Sequence, residues 1–239
     1  MLKNNNPVFK KIRNADYAYS DSVATYKGVM LKTFIYLGMT VIGAISGLLL
    51  LGYNQTIFSI GLSLSGILTF VFGLIGMSSP RNSKVFGLLY CFVEGALIGF
   101  ISMLFESLVS GVILATLVAT FSVVLVVCTL YLSGIVKVNN KFAKFTLAFA
   151  ISVIVSQLIL FVFSLFMNVQ FNFGLNLLAS VIMIFLACLY LLMDLQQIVN
   201  IVEGGMPKEY EWFASFGLVF TILWLYVEIL PLILELFDN

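Results

Sequence analysis

Three carboxylates stand in this chain where the surrounding sequence offers them no water: Glu94, Asp194 and Glu228. Each lies well inside a long apolar run, and an acid at bilayer depth costs about 2.5–3.5 kcal/mol unless it is protonated, paired or wetted. Asp194 shares a helical face with Tyr190 and Gln197, while Thr221, Glu228 and Glu235 recur at seven-residue spacing and draw a polar stripe along an apolar segment. The two segments are consecutive and antiparallel. If the first continues a turn or two past Ile198, Asp194 and Glu228 can meet inside a bundle. Two carboxylates in a low dielectric cannot both ionise cheaply, so such a pair shares a proton and titrates as one unit, a proton-responsive latch. Pro231 lacks an amide hydrogen and so leaves the carbonyl of Val227 without its helical partner, next to Glu228. A carboxylate beside a freed carbonyl is the kind of hard oxygen donor that Ca²⁺ or Na⁺ takes; the plain alternative is a kink satisfied by a neighbouring hydroxyl. Glu94 shares a face with Gly87 and Cys91 and is either a hydrogen-bonded structural acid or a support for ion passage. Glu106 and Glu235, near the ends of their runs, read as solvated or snorkelling carboxylates.

These acids need a scaffold, and composition says which kind. Of 239 residues 62% are apolar and 10% charged, and the mean hydropathy is +1.12, against about 25% charged residues in a soluble domain. Lipid must be the main solvent, which excludes cytosolic enzymes. A net charge of +1 provides no basic field for nucleic acid. The chain has no histidine, and therefore no Ser-His or Cys-His catalytic arrangement, so no catalytic residue is assigned and a non-enzymatic protein without a bound cofactor is expected. Cys91, Cys128 and Cys188 each lie in an apolar run without a second thiol at ligand or redox spacing and read as small apolar residues.

Seven runs are long enough to cross about 30 Å of hydrocarbon: residues 30–51, 57–77, 85–105, 108–132, 145–167, 175–198 and 213–237. The expected organisation is a polar cytoplasmic tail over 1–28, then an all-α seven-helix transmembrane domain over 29–237, with no soluble domain before or after it. The first run is longer than a signal-peptide core and has no cleavage pattern behind it, so it reads as a retained helix. Lys and Arg fall in the tail and in the second, fourth and sixth loops, and are absent from the loops after the first, third and fifth runs. That bias puts the amino terminus inside and the carboxyl terminus outside. Lys32, at the inner end of the first run, is expected to snorkel to the interface. Two rows of small residues at four-residue spacing, Gly87, Cys91, Gly95 and Gly99 and then Gly61, Ser65, Thr69 and Gly73, mark close helix contacts. Tyr210 and Trp212, among Lys208, Glu209 and Glu211, read as a helical lead-in lying along the membrane surface.

The run Lys27-Gly28-Val29-Met30-Leu31-Lys32-Thr33, the segment Tyr90-Cys91-Phe92-Val93-Glu94-Gly95 and above all Met206-Pro207-Lys208-Glu209-Tyr210-Glu211-Trp212-Phe213, followed by Leu223-Trp224-Leu225-Tyr226-Val227-Glu228-Ile229-Leu230, resemble the bacterial branch of the Bax inhibitor-1, or transmembrane Bax inhibitor motif, family. The resemblance extends along nearly the whole chain. It implies a seven-helix fold with a central seventh helix in the bacterial plasma membrane, and a pH-regulated Ca²⁺ leak that depends on an aspartate of helix six and an acid of helix seven. The matching positions are Asp194 and Glu228, which on this reading sense protons and contact the transported Ca²⁺, with Glu94, the Val227 carbonyl and Pro231 supporting the pathway. The chain departs from the family at Gln196, where a second acid is usual, and at Pro231, where a basic residue is common. The expected partners are the lipid bilayer, Ca²⁺ and protons. Regulation of a membrane-anchored AAA protease or stress response, or proton-coupled transport, are the alternatives.

Overall fold

The computed structural model describes residues 23–53, 55–166 and 173–237. Most of the polar tail therefore lies outside the described residues. Seven helices follow one another: α1 (Tyr26–Tyr53), α2 (Gln55–Ser78), α3 (Pro80–Leu108), α4 (Val112–Leu132), α5 (Asn140–Phe166), α6 (Phe173–Glu203) and α7 (Glu209–Phe237). Six contain stretches long and apolar enough to cross a membrane, and the described apolar stretch of α2, Ser63–Ser78, is shorter. The exterior is apolar, with Phe34, Val41, Phe70, Phe121, Ile154 and Phe161 all more than half exposed. A surface of this kind is one that lipid covers. The expectation of an all-helical membrane bundle holds.

The helices overrun the apolar runs because a helix need not stop where the lipid stops. Pro80 takes the first position of α3, where its missing amide costs nothing, so Arg81, Asn82, Ser83 and Lys84 are helical ahead of the expected start at residue 85. Between α3 and α4 the break, expected at 106–107, falls instead at 109–111, a short loop through Gly111, whose φ of 91° suits glycine. Glu106, expected to be merely solvated, accepts the amide hydrogens of Gly111 (2.7 Å) and Ile113 (2.9 Å) and so closes the N-terminus of α4. Asn139 caps α5 through its side-chain oxygen to the amides of Lys141 and Phe142, both at 3.0 Å.

The seventh helix is central. Among the described residues it packs against every other helix except α5, whose main support is α6. With lipid outside, burying apolar area does not by itself drive helices together, so close approach and shape must do so. On the α1–α3 contact the glycine row delivers that approach: a Cβ on Gly95 would run into the Thr40 carbonyl, one on Gly99 would lie 2.8 Å from the Ala44 oxygen, and Gly43 answers from α1 against the Phe92 carbonyl. The row on α2 is only half used. Gly73 touches Tyr90, whereas Gly61 has nothing within 4 Å. Around α7 the contact is aromatic, with fully buried Phe216 set between Tyr36 (ring centroids 5.8 Å apart) and Tyr90 (5.3 Å).

The loop from α6 to α7 fixes their register. Gly205, at φ 62°, lets the amides of Gly205 and Met206 return to the carbonyls of Val202 (3.2 Å) and Ile201 (3.1 Å), a Schellman closure. The start of the described chain is then strapped to this loop by the Ala24 amide on the Met206 carbonyl at 2.8 Å and by a bridge between Val23 and Pro207.

Candidate functional site

With the α6–α7 register fixed, Asp194 comes to lie against α7 over the face that carries Gly217 and Thr221. The Thr221 hydroxyl donates to Asp194 Oδ2 at 2.5 Å, and an added Cβ on Gly217 would sit 3.4 Å from Oδ1. One turn away on the same face Tyr190 meets Trp224 of α7, ring centroids 5.9 Å apart, and the Trp224 indole donates to Glu228 Oε1 at 2.9 Å. The polar face read from Tyr190 and Asp194 does point at α7. Gln197 is exposed.

The two acids do not share a hydrogen bond, because each has its own donor. The condition set by the sequence is met, since α6 runs past Ile198 to Glu203, yet the register that sets residue 194 beside 221 puts residue 228 near residue 187. There Ala187 packs with Leu225 and Ile229. Seven residues at about 1.5 Å each separate Thr221 from Glu228, so the acids stand about 10 Å apart along α7. They form two stations on the α6–α7 seam, joined by Thr221, Trp224 and Tyr190.

Glu94 belongs to another seam. It is half-buried on α3 near Thr69 of α2, whose hydroxyl donates to the Ser65 carbonyl at 2.7 Å. Val227 and Pro231 are elsewhere again, lining a cavity of about 200 Å³ between α3 and α7 with Ile98, Ile101 and Phe105. The cavity's polar edge, the Tyr226 hydroxyl, is bound to Ser102 at 2.8 Å. Gln196, in place of the usual acid, accepts from the Tyr131 hydroxyl of α4 at 3.1 Å. No cluster of three or more Asp, Glu, His or Cys side chains suited to a metal occurs among the described residues.

The sequence reading missed a third polar cluster, at the end of the bundle that carries the α6–α7 loop. Glu211, expected at the surface, is 1% exposed and ion-paired with Lys32, which keeps 11% of its side chain exposed. The two side chains turn to each other inside the bundle instead of standing free in water. Thr25 explains the geometry. Its hydroxyl accepts the Gly28 amide at 3.0 Å, capping α1, while its own amide donates to Glu211 Oε1 at 2.9 Å. In a capping box an acid three residues after the cap accepts that amide. Here the third position is Gly28, a Cβ on it would strike the Glu211 carboxylate, and an acid from α7 takes the missing side chain's place. The lead-in around Trp212 is helical as expected, but as the first turn of α7 rather than a separate surface segment. Tyr36 secures it, its hydroxyl donating to the Ser83 carbonyl at 2.7 Å and its ring meeting Trp212 edge-on at 5.5 Å. A glycine at the third position of a threonine-capped helix, with a lysine one turn further into lipid, was the available signal.

A central helix wrapped by others, acids on an internal seam and an apolar exterior define a polytopic helical membrane protein, in contact with the lipid bilayer. The family model described as Bax inhibitor 1 like matches residues 6–238, nearly the whole chain, and the chain belongs to that family. No curated protein matches it.

Proposed function

We propose that this protein is a non-enzymatic, pH-sensitive Ca²⁺ leak of a bacterial plasma membrane, with its amino terminus inside and its carboxyl terminus outside. One observation carries the reading: an acid of α6, with no basic partner among the described residues, is held to the central helix by one short hydroxyl contact, Thr221 to Asp194. An ionised carboxylate accepts that bond and attracts a cation; a protonated one can donate and attracts none. The seam therefore answers to protons at the point where α6 and α7 touch. Glu228 is the second station, about 10 Å along the same helix. Neither station approaches the six to eight oxygens of a Ca²⁺ storage site, so an ion there keeps much of its water and passes through. Glu94 supports the pathway from the α2–α3 side, and the Val227 carbonyl beside Pro231 from the α3–α7 side.

The test is dye-reported Ca²⁺ entry into proteoliposomes from about pH 5 to pH 8, the range over which carboxyl groups with strongly perturbed pKa values titrate. Asp194→Asn and Glu228→Gln are each expected to flatten the pH response. Wild-type pH dependence surviving unchanged in both overturns the proposal. Orientation is checked separately in a cysteine-free background, where Ser110→Cys is expected to react with an impermeant thiol reagent in intact cells and Asn140→Cys is not.

A further inference from the structure

At the end of the bundle that holds the α6–α7 loop, α1, α3 and α7 enclose a pocket of about 450 Å³ lined by Lys32, Arg81, Lys84, Lys208, Glu209 and Trp212. That volume falls within the range of about 300–1,000 Å³ typical of small-ligand sites. Four cations face one acid here, and of the four only Lys32 has a carboxylate partner among the described residues. Even with Glu211 counted against Lys32, a surplus of two positive charges remains. The ammonium groups of Lys32 and Lys84 are drawn to one indole, 5.3 and 5.6 Å from the centre of the Trp212 ring, and Glu211 is paired with the first of them only. The N-terminus of α3 opens at the same place, and the Ser79 side chain makes no capping bond, so the positive end of that helix adds to the field.

Two features select the kind of anion. The pocket sits where three spans leave the apolar layer, at the level that tryptophan and lysine mark in membrane proteins. The two helices that line it carry exposed apolar residues in their adjoining turns, Leu31 and Ile35 on α1 and Val85 and Leu89 on α3. A headgroup in the pocket would lay its acyl chains along those residues, and a free anion would make no use of them. We propose that this pocket binds the phosphate of an acidic phospholipid headgroup, a role that does not depend on ion passage.

The experiment uses the full chain in phosphatidylcholine nanodiscs, with phosphatidylglycerol or inorganic phosphate added. Retained lipid is counted by native mass spectrometry and the unfolding midpoint is followed. Phosphatidylglycerol is expected to be retained in preference to phosphatidylcholine and to raise the midpoint. Each cation near an anionic phosphate is worth about a fivefold factor in binding, so Arg81→Gln/Lys208→Gln is expected to weaken retention about twenty-five-fold while leaving the midpoint in phosphatidylcholine alone unchanged. Glu209→Gln, which removes the pocket's acid, is expected to tighten retention about fivefold by the same factor. Equal retention of the two lipids overturns the proposal, as does an unaltered phosphatidylglycerol affinity in these variants. So does a midpoint that rises with inorganic phosphate and gains nothing from phosphatidylglycerol, which would make the pocket a site for a free anion.

Discussion

Replacing Lys32 by methionine is expected to damage the protein more than replacing Glu211 by glutamine, although both changes break the same ion pair. Lys32→Met strands a carboxylate that is 1% exposed, with only the Thr25 amide and hydroxyl left to solvate it. Breaking a buried pair from one side costs about 3–5 kcal/mol. The pair lies at the end of the spans and Lys32 keeps some exposure, so the lower end applies, about 3 kcal/mol. Glu211→Gln keeps an oxygen for the Thr25 amide and leaves an ammonium that can turn into the adjoining pocket, which Lys32 already lines; the loss there is about 1.5 kcal/mol, the low end for one hydrogen bond to a charged group, in a setting where water can help. In the double variant neither charge is stranded, so its loss should fall short of the sum of the singles by about 2 kcal/mol, within the range for contacting residues. Equilibrium unfolding of purified protein in a fixed detergent, followed by tryptophan fluorescence for all four forms, measures the cycle. A Lys32→Met loss below that of Glu211→Gln, or additive losses, would refute the cross-helix cap.

Thr221→Val removes the donor to Asp194 while keeping its shape, and one hydrogen bond of about 1 kcal/mol is expected to move the midpoint of pH-dependent flux by about one unit with the maximal flux retained. Glu106→Ala takes the acceptor from the amides of Gly111 and Ile113; hydrogen exchange at those two positions is expected to quicken while exchange deep in α4 stays slow. Gly43→Val places a side chain on the Phe92 backbone and is expected to abolish the monodisperse peak in size-exclusion chromatography, whereas Gly38→Ala, with nothing within 4 Å, is expected to leave it intact.

The spans were legible because hydrocarbon thickness imposes a length that composition must meet, and each of the seven expected runs falls on a helix over most of its length, the run from 108 giving up its first residues to the loop at Gly111. Their ends were less so: Arg81 to Lys84 read as loop by hydropathy, yet Pro80 starts a helix that only its backbone chemistry announces. Small-residue spacing showed which faces come close, as at Gly95, but the same spacing at Gly61 meets nothing among the described residues, since a periodic pattern does not carry the identity of a neighbour. The direction of Asp194 was legible for the reason any helical face is. Its level was not, because the Schellman turn at Gly205 sets the register and thereby gives Asp194 the Thr221 hydroxyl instead of Glu228. The Lys32–Glu211 pair was out of reach because 179 residues separate its members, and hydropathy reads each as an ordinary interfacial charge.

That separation also bears on how the protein is made. A chain synthesised from its amino terminus inserts α1 while Glu211, 186 residues beyond Thr25, does not yet exist. Until α7 arrives, Lys32 is a lone cation at the edge of the bilayer and the Thr25 amide lacks the Glu211 acceptor, so α1 is held mainly by its contacts with α3. The last helix supplies the counter-charge and completes the cap of the first in one step, and with it the strap from Ala24 to the Met206 carbonyl can close. A ribosome that stopped short of α7 would release a protein whose first helix is marked as unfinished by a charge exposed to whatever surveys the membrane surface.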